Sequence, residues 1–363
     1  MRRDREQDRA AVRVLRDLVA IPSFSGDEGP AAEYLAGRMA DLGYAVRIDA
    51  VGNVVGELGG AGGPTIMMVG HLDTVAGTLP VREVDGVLYG RGTVDAKGPL
   101  AAMVHAGARA ASPAYRVVVV GAVDEEDASR GARHLPATLE RPDFLLIGEP
   151  SSAAAVVVGY KGILRFDWRV RRPAAHTSSP AERAVEVAAG LWAAVCDRLD
   201  TDPAAPAFDR AIPALTALRG DLVQAYAHLS CRVPRGFESA PFLTWLRGWT
   251  DSTEVTVHED LPAVRTSRGD PLVRTFVRAV RRVTGRANVK VKLGTSDMNV
   301  LVPAWQVPAV AYGPGDSALD HTDEERVAVE EYLTAIDVLA EALPDVAARL
   351  STRDPAAAGT PGG

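Results

Sequence analysis

What the sequence lacks excludes several classes of protein. It has two cysteines, Cys196 and Cys231, and no CxxC pair, so we expect reduced thiols rather than a disulfide scaffold. No apolar run reaches the roughly 20 residues that span a bilayer, and no apolar segment of a signal peptide follows the charged N-terminus. The net charge of -7 argues against a nucleic-acid binder. We therefore expect a cytoplasmic protein without a membrane or nucleic-acid partner.

The 363 residues suit two domains better than one, and the hydrophobic content of 47% is that of a globular protein. Helical periodicity alternates with short apolar runs in both terminal parts, which predicts an α/β sheet with helices on its faces. Between them, strict alternation along residues 164–171 predicts a half-exposed antiparallel strand. We predict a catalytic domain of residues 1–157 and 265–350, an inserted α+β domain of residues 158–264 and a disordered tail of residues 351–363.

Side chains that can bind metals follow strands or glycine-rich turns at five places. The first place directly follows the apolar run Thr65–Val69, where α/β sheets put their chemistry. The five places are His71 with Asp73, Asp95, Glu125 with Glu126, Glu149, and His321. A His near an Asp, or a pair of acids, is by itself more often a solvated turn. Because each place follows a strand or a turn, we expect all five to converge on one edge of one sheet.

The residue types at these places are those of a metal centre. Carboxylates and imidazoles without thiolates suit Zn²⁺, Co²⁺ or Mn²⁺, while two histidines argue against Mg²⁺ or Ca²⁺. Five ligands are too many for one tetrahedral catalytic zinc that keeps a water. They suffice for two ions roughly 3.5 Å apart that share a bridging carboxylate and a water.

At these segments the sequence resembles the M20 family of co-catalytic dizinc peptidases and deacylases, which includes acetylornithine deacetylase and succinyl-diaminopimelate desuccinylase. The similarity extends from about Ile21 to Leu343. Tyr160–Gly162, Gly294–Val300 and Ala311–Asp316 are most similar to the hydrolases that act on an amino-group carrier protein linked to lysine or ornithine. The family implies a mixed-sheet catalytic domain with an inserted, ferredoxin-like domain that serves as a lid or in dimerisation.

The resemblance also implies a role for each metal-binding position. His71 and Glu149 would hold one Zn²⁺. Glu126 and His321 would hold the other, and Asp95 would bridge the two ions. Co²⁺ could replace Zn²⁺ at either position.

Three further residues are implied to act in catalysis. Asp73 would accept a hydrogen bond from His71 and fix its tautomer, and Glu125 would be the general base. His176 would reach into the site of a partner subunit and stabilise the oxyanion, which implies a homodimer. The alternative for His176 is a loop in which one of the serines that follow it caps the next helix.

Substrate recognition is implied for four residues. Arg232 matches a strand arginine that binds the substrate's α-carboxylate in relatives, and a plain surface arginine is the alternative. Thr295 and Ser296 are candidates for hydrogen bonds to the same carboxylate. Asn299 stands where the desuccinylases carry an arginine, so a second substrate carboxylate is disfavoured and a substrate that ends in an amine has room.

The remaining histidines and arginines carry weaker signals. We expect four histidines to be structural, since none has an apparent ligand partner: His105, His134, His228 and His258. The inserted domain also contains a group of arginines: Arg165, Arg169, Arg171, Arg172 and Arg183. These arginines could dock a small acidic carrier protein or protect an exposed edge strand.

Taken with the resemblance, the sequence predicts a metal-dependent hydrolase of lysine or arginine biosynthesis. The substrate would be a carrier protein whose C-terminal glutamate is linked by an amide to lysine or ornithine. The alternatives are a deacylase of small N-acyl amino acids such as N-acetyl-ornithine or N-acetyl-lysine, and a dipeptidase. A relative that only binds its partner is disfavoured because Glu125 and the full ligand set are present.

Overall fold

The computed structural model describes residues 4–199 and 204–352. Two compact units divide the chain. The described parts of Met1–Val158, Thr266–Lys290 and Ser296–Gly363 form the first unit, and Gly159–Arg265 with Val291–Thr295 form the second. The last helix ends at Ser351, and residues 353–363 of the predicted tail lie outside the described residues.

The described residues contain nine α-helices and one short 3₁₀ turn at Ser317–Leu319. The helices are α1 Arg5–Ala20, α2 Gly29–Asp41, α3 Lys97–Arg109, α4 Arg130–Thr138, α5 Ala184–Leu199, α6 Ser239–Arg247, α7 Pro271–Thr284, α8 Met298–Trp305 and α9 Val329–Ser351. Helix α7 has an ordinary cap at each end. The Asp270 side chain accepts hydrogen bonds from Leu272 N and Val273 N, and Gly285 ends the helix with φ of 77°. None of the described helices is long and apolar enough to cross a membrane.

Sixteen strands build the sheets of the described residues. They are β1 Ala45–Ile48, β2 Val54–Gly59, β3 Thr65–His71, β4 Arg82–Val84, β5 Val87–Tyr89, β6 Arg116–Ala122, β7 Phe144–Gly148, β8 Ala155–Tyr160, β9 Gly162–Arg171, β10 Ile212–Gly220, β11 Gln224–Val233, β12 Thr253–Leu261, β13 Val264–Arg265, β14 Asn288–Lys292, β15 Ala309–Ala311 and β16 Arg326–Ala328.

The first unit is built on a mixed sheet with the strand order β1-β2-β6-β3-β7-β15-β8. Strand β3 runs parallel to both β6 and β7, and β2 pairs antiparallel with β6. These central strands are apolar runs buried on both faces, as expected of strands covered by helices on each side. Gly70 lets α3 pack closely, since a Cβ there would lie 3.2 Å from Leu100 Cβ. The predicted α/β class with a mixed sheet is confirmed.

The second unit is an antiparallel sheet with the order β10-β11-β9-β12. One face of this sheet packs on α5 and α6 around Phe166 and Trp168, which are fully buried. The opposite face carries Arg165, Asp167 and Arg169, as the alternation along β9 predicted. Strand β9 lies between β11 and β12, so the suggestion that its arginines protect an exposed edge is wrong.

Candidate metal centre

The carboxyl ends of three neighbouring parallel strands bring most of the predicted site together. In the register of the sheet, His71 at the end of β3 pairs with Ala122 at the end of β6. Gly70 pairs with Gly148 at the end of β7. The residues that follow these strands therefore meet at one edge of the sheet, as the sequence predicted.

Asp95 lies between the two histidines of the site. Its Oδ1 is 3.1 Å from His71 Nε2, and its Oδ2 is 3.0 Å from His321 Nε2. Glu149 Oε1 lies 3.8 Å from His71 Nε2, and Glu126 Oε1 lies 3.1 Å from His321 Nε2. Each imidazole thus faces one carboxylate of its own and shares the carboxylate of Asp95. We call these five residues the central cluster.

The donor set of the central cluster fits two divalent metal ions. It forms two overlapping groups of three, His71–Asp95–Glu149 and Asp95–Glu126–His321, whose ligand atoms lie within 4.8 Å of one another in each group. Three carboxylates and two imidazoles, without a thiolate, are the ligands that Zn²⁺, Co²⁺ and Mn²⁺ accept. One residue shared between two such groups is the arrangement by which a carboxylate bridges a metal pair.

Asp73 is fully buried, and two of its oxygens face His71. His71 Nδ1 lies 2.9 Å from the main-chain oxygen of Asp73 and 3.5 Å from its carboxylate Oδ1. The carboxylate accepts hydrogen bonds from the main-chain N–H groups of Glu125 and Glu126, each 3.0 Å long. Asp73 therefore orients His71 through its carbonyl and its carboxylate, and it fixes the backbone that carries the two glutamates.

Glu325 is a buried residue of the site that the sequence analysis missed. Its Oε1 accepts hydrogen bonds from the N–H groups of Gly92, Val94 and Asp95 at 2.9, 2.9 and 3.1 Å. Its Oε2 accepts from Arg91 Nη1 at 2.8 Å. One carboxylate four residues after His321 thus holds the loop that presents Asp95. In the sequence Glu325 ends the acidic run Asp323–Glu325, a pattern typical of an exposed turn.

Two acids beside the central cluster have raised pKa values. Burial raises the pKa of Glu125 well above its ordinary value, and the carboxylates of Glu149 and Asp297 add to this effect. Burial also raises the pKa of Asp297 to about 7, with a contribution from Asp73. A carboxyl group with a pKa of about 7, such as that of Asp297, can accept and return a proton near neutral pH, and the raised pKa of Glu125 makes its carboxylate a stronger base.

The carboxylates of the site raise the pKa values of both cluster histidines. Burial lowers the pKa of His71, but hydrogen bonds to Asp73 and Asp95 outweigh it and leave this pKa well above its ordinary value. Hydrogen bonds to Asp95 and Glu126 raise the pKa of His321 to about 10. The surrounding negative charge therefore favours a cation at each imidazole, and a proton and a metal ion compete for that position.

Three predicted residues belong to the second unit, where the structure gives their local contacts. His176 lies in an exposed loop with Nδ1 2.8 Å from Ser178 Oγ. The next helix, α5, begins at Ala184, several residues beyond the serines that were considered as its caps. Arg232 Nη1 donates a hydrogen bond of 3.0 Å to Thr295 Oγ1, so the predicted carboxylate-binding pair is in contact.

Ser296 and Asn299 lie in the first unit and are buried. Asn299 Oδ1 accepts a hydrogen bond of 3.0 Å from Ser296 N, and Ser296 Oγ accepts one of 3.2 Å from Met298 N. These contacts fix the loop at the start of α8. Both side chains are therefore engaged in shaping the loop.

Two histidines behave differently from the expectation. His228 and His258 were expected to lack a ligand partner, and this is wrong, because both contact the carboxylate of Asp167. The three residues come from different strands, and only the pairing of those strands brings them together.

The fold and the central cluster define a metal-dependent hydrolase. The sequence profile of peptidase family M20/M25/M40 matches residues 67–345. The chain therefore belongs to this family, and the resemblance predicted from its motifs is confirmed.

The chain is similar to two hydrolases from other organisms over nearly its whole length. It is 42% identical over 356 residues to the LysW-lysine hydrolase of Deinococcus radiodurans, covering 92% of this chain and 96% of that one. It is 27% identical over 352 residues to the LysW-lysine/LysW-ornithine hydrolase of Sulfurisphaera tokodaii, covering 95% and 99%. The crystal structure of an M20 family metallo-carboxypeptidase from Sulfolobus solfataricus has the same fold, with a TM-score of 0.76, 17% identity and coverage of 93% and 99%.

Proposed function

We propose that this protein hydrolyses the amide between the γ-carboxyl group of a carrier protein's C-terminal glutamate and the α-amino group of lysine or ornithine. The central cluster, with Asp95 shared between two histidines, supports the hydrolytic reaction. The names of the relatives from Deinococcus radiodurans and Sulfurisphaera tokodaii support the substrate. The free amino acid would then enter lysine or arginine biosynthesis in the cytoplasm.

Two Zn²⁺ ions, which Co²⁺ can replace, are the cofactors of this proposal. His71 and Glu149 would hold one ion, His321 and Glu126 the other, and Asp95 both. When bound, such ions lower the pKa of a water and polarise the scissile carbonyl.

Glu125 is the general base in this proposal. It would take a proton from the attacking water and deliver it to the leaving α-amine, which departs as the neutral amine. Burial raises the pKa of Glu125, which favours the protonated form that carries the proton from the water to the amine. The hydrogen bond from its main-chain N–H to Asp73 keeps it beside the cluster.

Arg232 and Thr295 are the proposed binding site for the α-carboxylate of lysine or ornithine. Their hydrogen bond of 3.0 Å places a guanidinium and a hydroxyl side by side, and a carboxylate can accept from both. Asn299 offers no charge to a second carboxylate, which agrees with a substrate side chain that ends in an amine.

His176 is the proposed oxyanion donor to the site of a partner subunit, so the active form would be a homodimer. The exposed position of His176 on its loop leaves it accessible to another chain. A single preorganised donor of this kind commonly contributes about 10²–10³-fold to kcat.

The exposed face of β9 is the proposed docking surface for the acidic carrier protein. Arg165 is paired with Glu259 at 3.3 Å, whereas Arg169 and Arg171 are exposed at the surface. Replacing Arg169 and Arg171 by Glu should raise KM for the carrier-linked substrate several-fold at low salt, because steering by opposite charge is lost. The same charge reversal at two exposed arginines of α1 is the control, and an equal effect there would contradict docking on β9.

The proposal is tested by comparing hydrolysis of carrier-γ-glutamyl-lysine, carrier-γ-glutamyl-ornithine, N-acetyl-lysine and N-acetyl-ornithine, with and without added Zn²⁺ or Co²⁺. We expect metal-dependent turnover of the carrier-linked substrates and little of the acetyl amino acids. If the acetyl compounds were preferred, metal-dependent amide hydrolysis would still hold, but the substrate would be a small N-acyl amino acid and not the carrier protein. No metal-dependent hydrolysis of any of the four would overturn the proposal.

A further inference from the structure

A second His–carboxylate group lies on the open face of the sheet in the second unit, where the proposed hydrolysis assigns no metal. Asp167 lies in β9, His228 in the neighbouring strand β11, and His258 in β12 on the other side. Asp167 Oδ1 is 2.7 Å from His228 Nδ1, and Asp167 Oδ2 is 3.1 Å from His258 Nε2. We call these three residues the sheet-face cluster.

The strand pairing explains why these three side chains meet. Asp167 is directly opposite His228 in the register of β9 and β11, so both point to the same face. The register of β12 against β9 shifts between Val257 and Glu259, which makes His258 the extra residue of a β-bulge. A bulge redirects a side chain relative to regular pairing, and here the imidazole of His258 reaches Asp167.

The two distances to Asp167 are those of hydrogen bonds, and both are somewhat shorter than the separation between neighbouring ligands of one metal ion. Around a tetrahedral Zn²⁺, with ligands about 2.0–2.1 Å away, neighbouring donor atoms lie about 3.3 Å apart. The two separations to Asp167 are 2.7 and 3.1 Å, and one ligand atom from each of the three residues lies within 4.8 Å of the others. Little movement is needed to place these atoms around an ion.

We propose that Asp167, His228 and His258 form a further binding site for Zn²⁺ or a similar transition-metal ion, separate from the central cluster. Two imidazoles and one carboxylate are a ligand set that such ions accept with one position left open to solvent or a ligand. The side chains are 14%, 27% and 44% exposed, respectively, so an ion can enter from solvent.

The groups around the sheet-face cluster include one that supports metal binding, Tyr226, and two arginines whose positive charge would oppose it. Tyr226 Oη donates a hydrogen bond of 2.9 Å to Asp167 Oδ1, the kind of outer contact that orients a metal-binding carboxylate. Arg165 is neutralised by Glu259 at 3.3 Å. Arg169 approaches Asp167 Oδ2 to 4.0 Å and lies over the ring of Tyr226 at 5.5 Å from its centroid, with a side chain that is 61% exposed.

The competing explanation is a hydrogen-bonded group in which one carboxylate accepts from two imidazoles without any metal. The two explanations differ in the number of ions that the chain binds. The test is therefore the number of Zn²⁺ ions per chain, measured by elemental analysis. The full-length protein is first dialysed against a buffer whose free Zn²⁺ concentration is sufficient to load the central cluster.

We expect one more Zn²⁺ per chain in the unaltered protein than in the H228Q/H258Q variant. His134→Gln, a histidine of α4 outside both clusters, is the matched control and should keep the full count. An equal count in the unaltered protein and the double variant would overturn the site. Asp167→Asn, which leaves both imidazoles in place, should also lose one ion and covers the case in which the double variant folds poorly.

A second measurement compares Zn²⁺ affinity after a change to a residue that contacts a ligand but is not itself a ligand. Tyr226→Phe retains all three ligands and removes only the hydrogen bond to Asp167. Because outer contacts of this kind tune metal affinity, we expect Zn²⁺ at this site to bind about 10-fold more weakly or worse. Unchanged affinity in Tyr226→Phe would contradict ligation by Asp167. The ion count and the affinity measurement are both made without substrate, so their results do not depend on the outcome of the hydrolysis assays.

Discussion

The central cluster and the sheet-face cluster use the same residue types in different proportions. The first places three carboxylates around two imidazoles, and the second places two imidazoles around one carboxylate. Three negative charges balance most of the charge of two divalent ions, whereas one negative charge suits a single ion. The central cluster therefore has a carboxylate, Asp95, that two proposed ions can share, whereas the sheet-face cluster has one group of three ligands.

The largest effect is expected for Glu125, whose replacement should lower the rate of hydrolysis and leave the metal ions at both clusters bound. Replacing Glu125 by Gln removes the proposed general base and should lower kcat by about 10²–10⁴-fold. The Zn²⁺ content should stay the same, because Glu125 is not among the cluster ligands. Glu324→Gln, at an exposed glutamate of the first unit, is the control. Full activity in Glu125→Gln would refute the proposed mechanism.

His176 is the residue through which the second unit is proposed to contribute to catalysis. Replacing His176 by Ala should lower kcat by about 10²–10³-fold if this residue donates to the oxyanion of a partner's site. Mixed dimers of His176→Ala and Glu125→Gln chains should regain activity, because one of their two sites then has both an intact Glu125 and a partner's intact His176. Mixtures as inactive as the two variants alone would show that His176 does not act across the dimer.

Replacing Glu325 should weaken Zn²⁺ binding at the central cluster and leave the sheet-face cluster unchanged. In Glu325→Gln an amide replaces the carboxylate that holds the Asp95 loop and pairs with Arg91. We expect Zn²⁺ affinity at the central cluster to decrease about 10- to 100-fold, as for other groups that orient a metal ligand. The measurement is Zn²⁺ competition with a chromophoric chelator, with circular dichroism to check folding. Affinity equal to that of Glu324→Gln would show that the loop is held without Glu325.

The smallest effect, counted per unit of pH, is the pH dependence of metal binding at the central cluster. The pKa of His321 is raised to about 10 in the metal-free protein, so its imidazole is protonated at neutral pH. A metal ion binds only the neutral imidazole, so binding releases a proton and the affinity rises with pH. We expect an increase of up to about 10-fold per pH unit for each proton released, measured between pH 6 and 8. Affinity that is independent of pH would contradict ligation by His321.

Most of the central cluster could be predicted because its residues follow strands. Thr65–Val69 and Val117–Val123 are apolar runs that predict strands by themselves, and the polar residues after them must lie at the sheet edge. The sheet-face cluster has no such signal. His228 and His258 lie within strands, and only the register and the β-bulge place them beside Asp167.

Elements with weak periodicity were also missed. Helix α4 contains Pro136 and α8 contains Pro303, so neither shows an uninterrupted helical pattern. Strands β4, β5 and β16 have three residues each, too few for alternation to be recognised. Glu325 was missed for a different reason, since its partners are main-chain N–H groups that no side-chain pattern reveals.

The central claim is that hydrolysis depends on a pair of metal ions at the Asp95-bridged cluster. The most direct measurement is the rate of carrier-γ-glutamyl-lysine hydrolysis as Zn²⁺ is added in steps to metal-free protein that carries the H228Q/H258Q substitutions. The account predicts that activity rises until two ions are bound per chain and then stays constant. Full activity with one ion per chain, or without any, would contradict it.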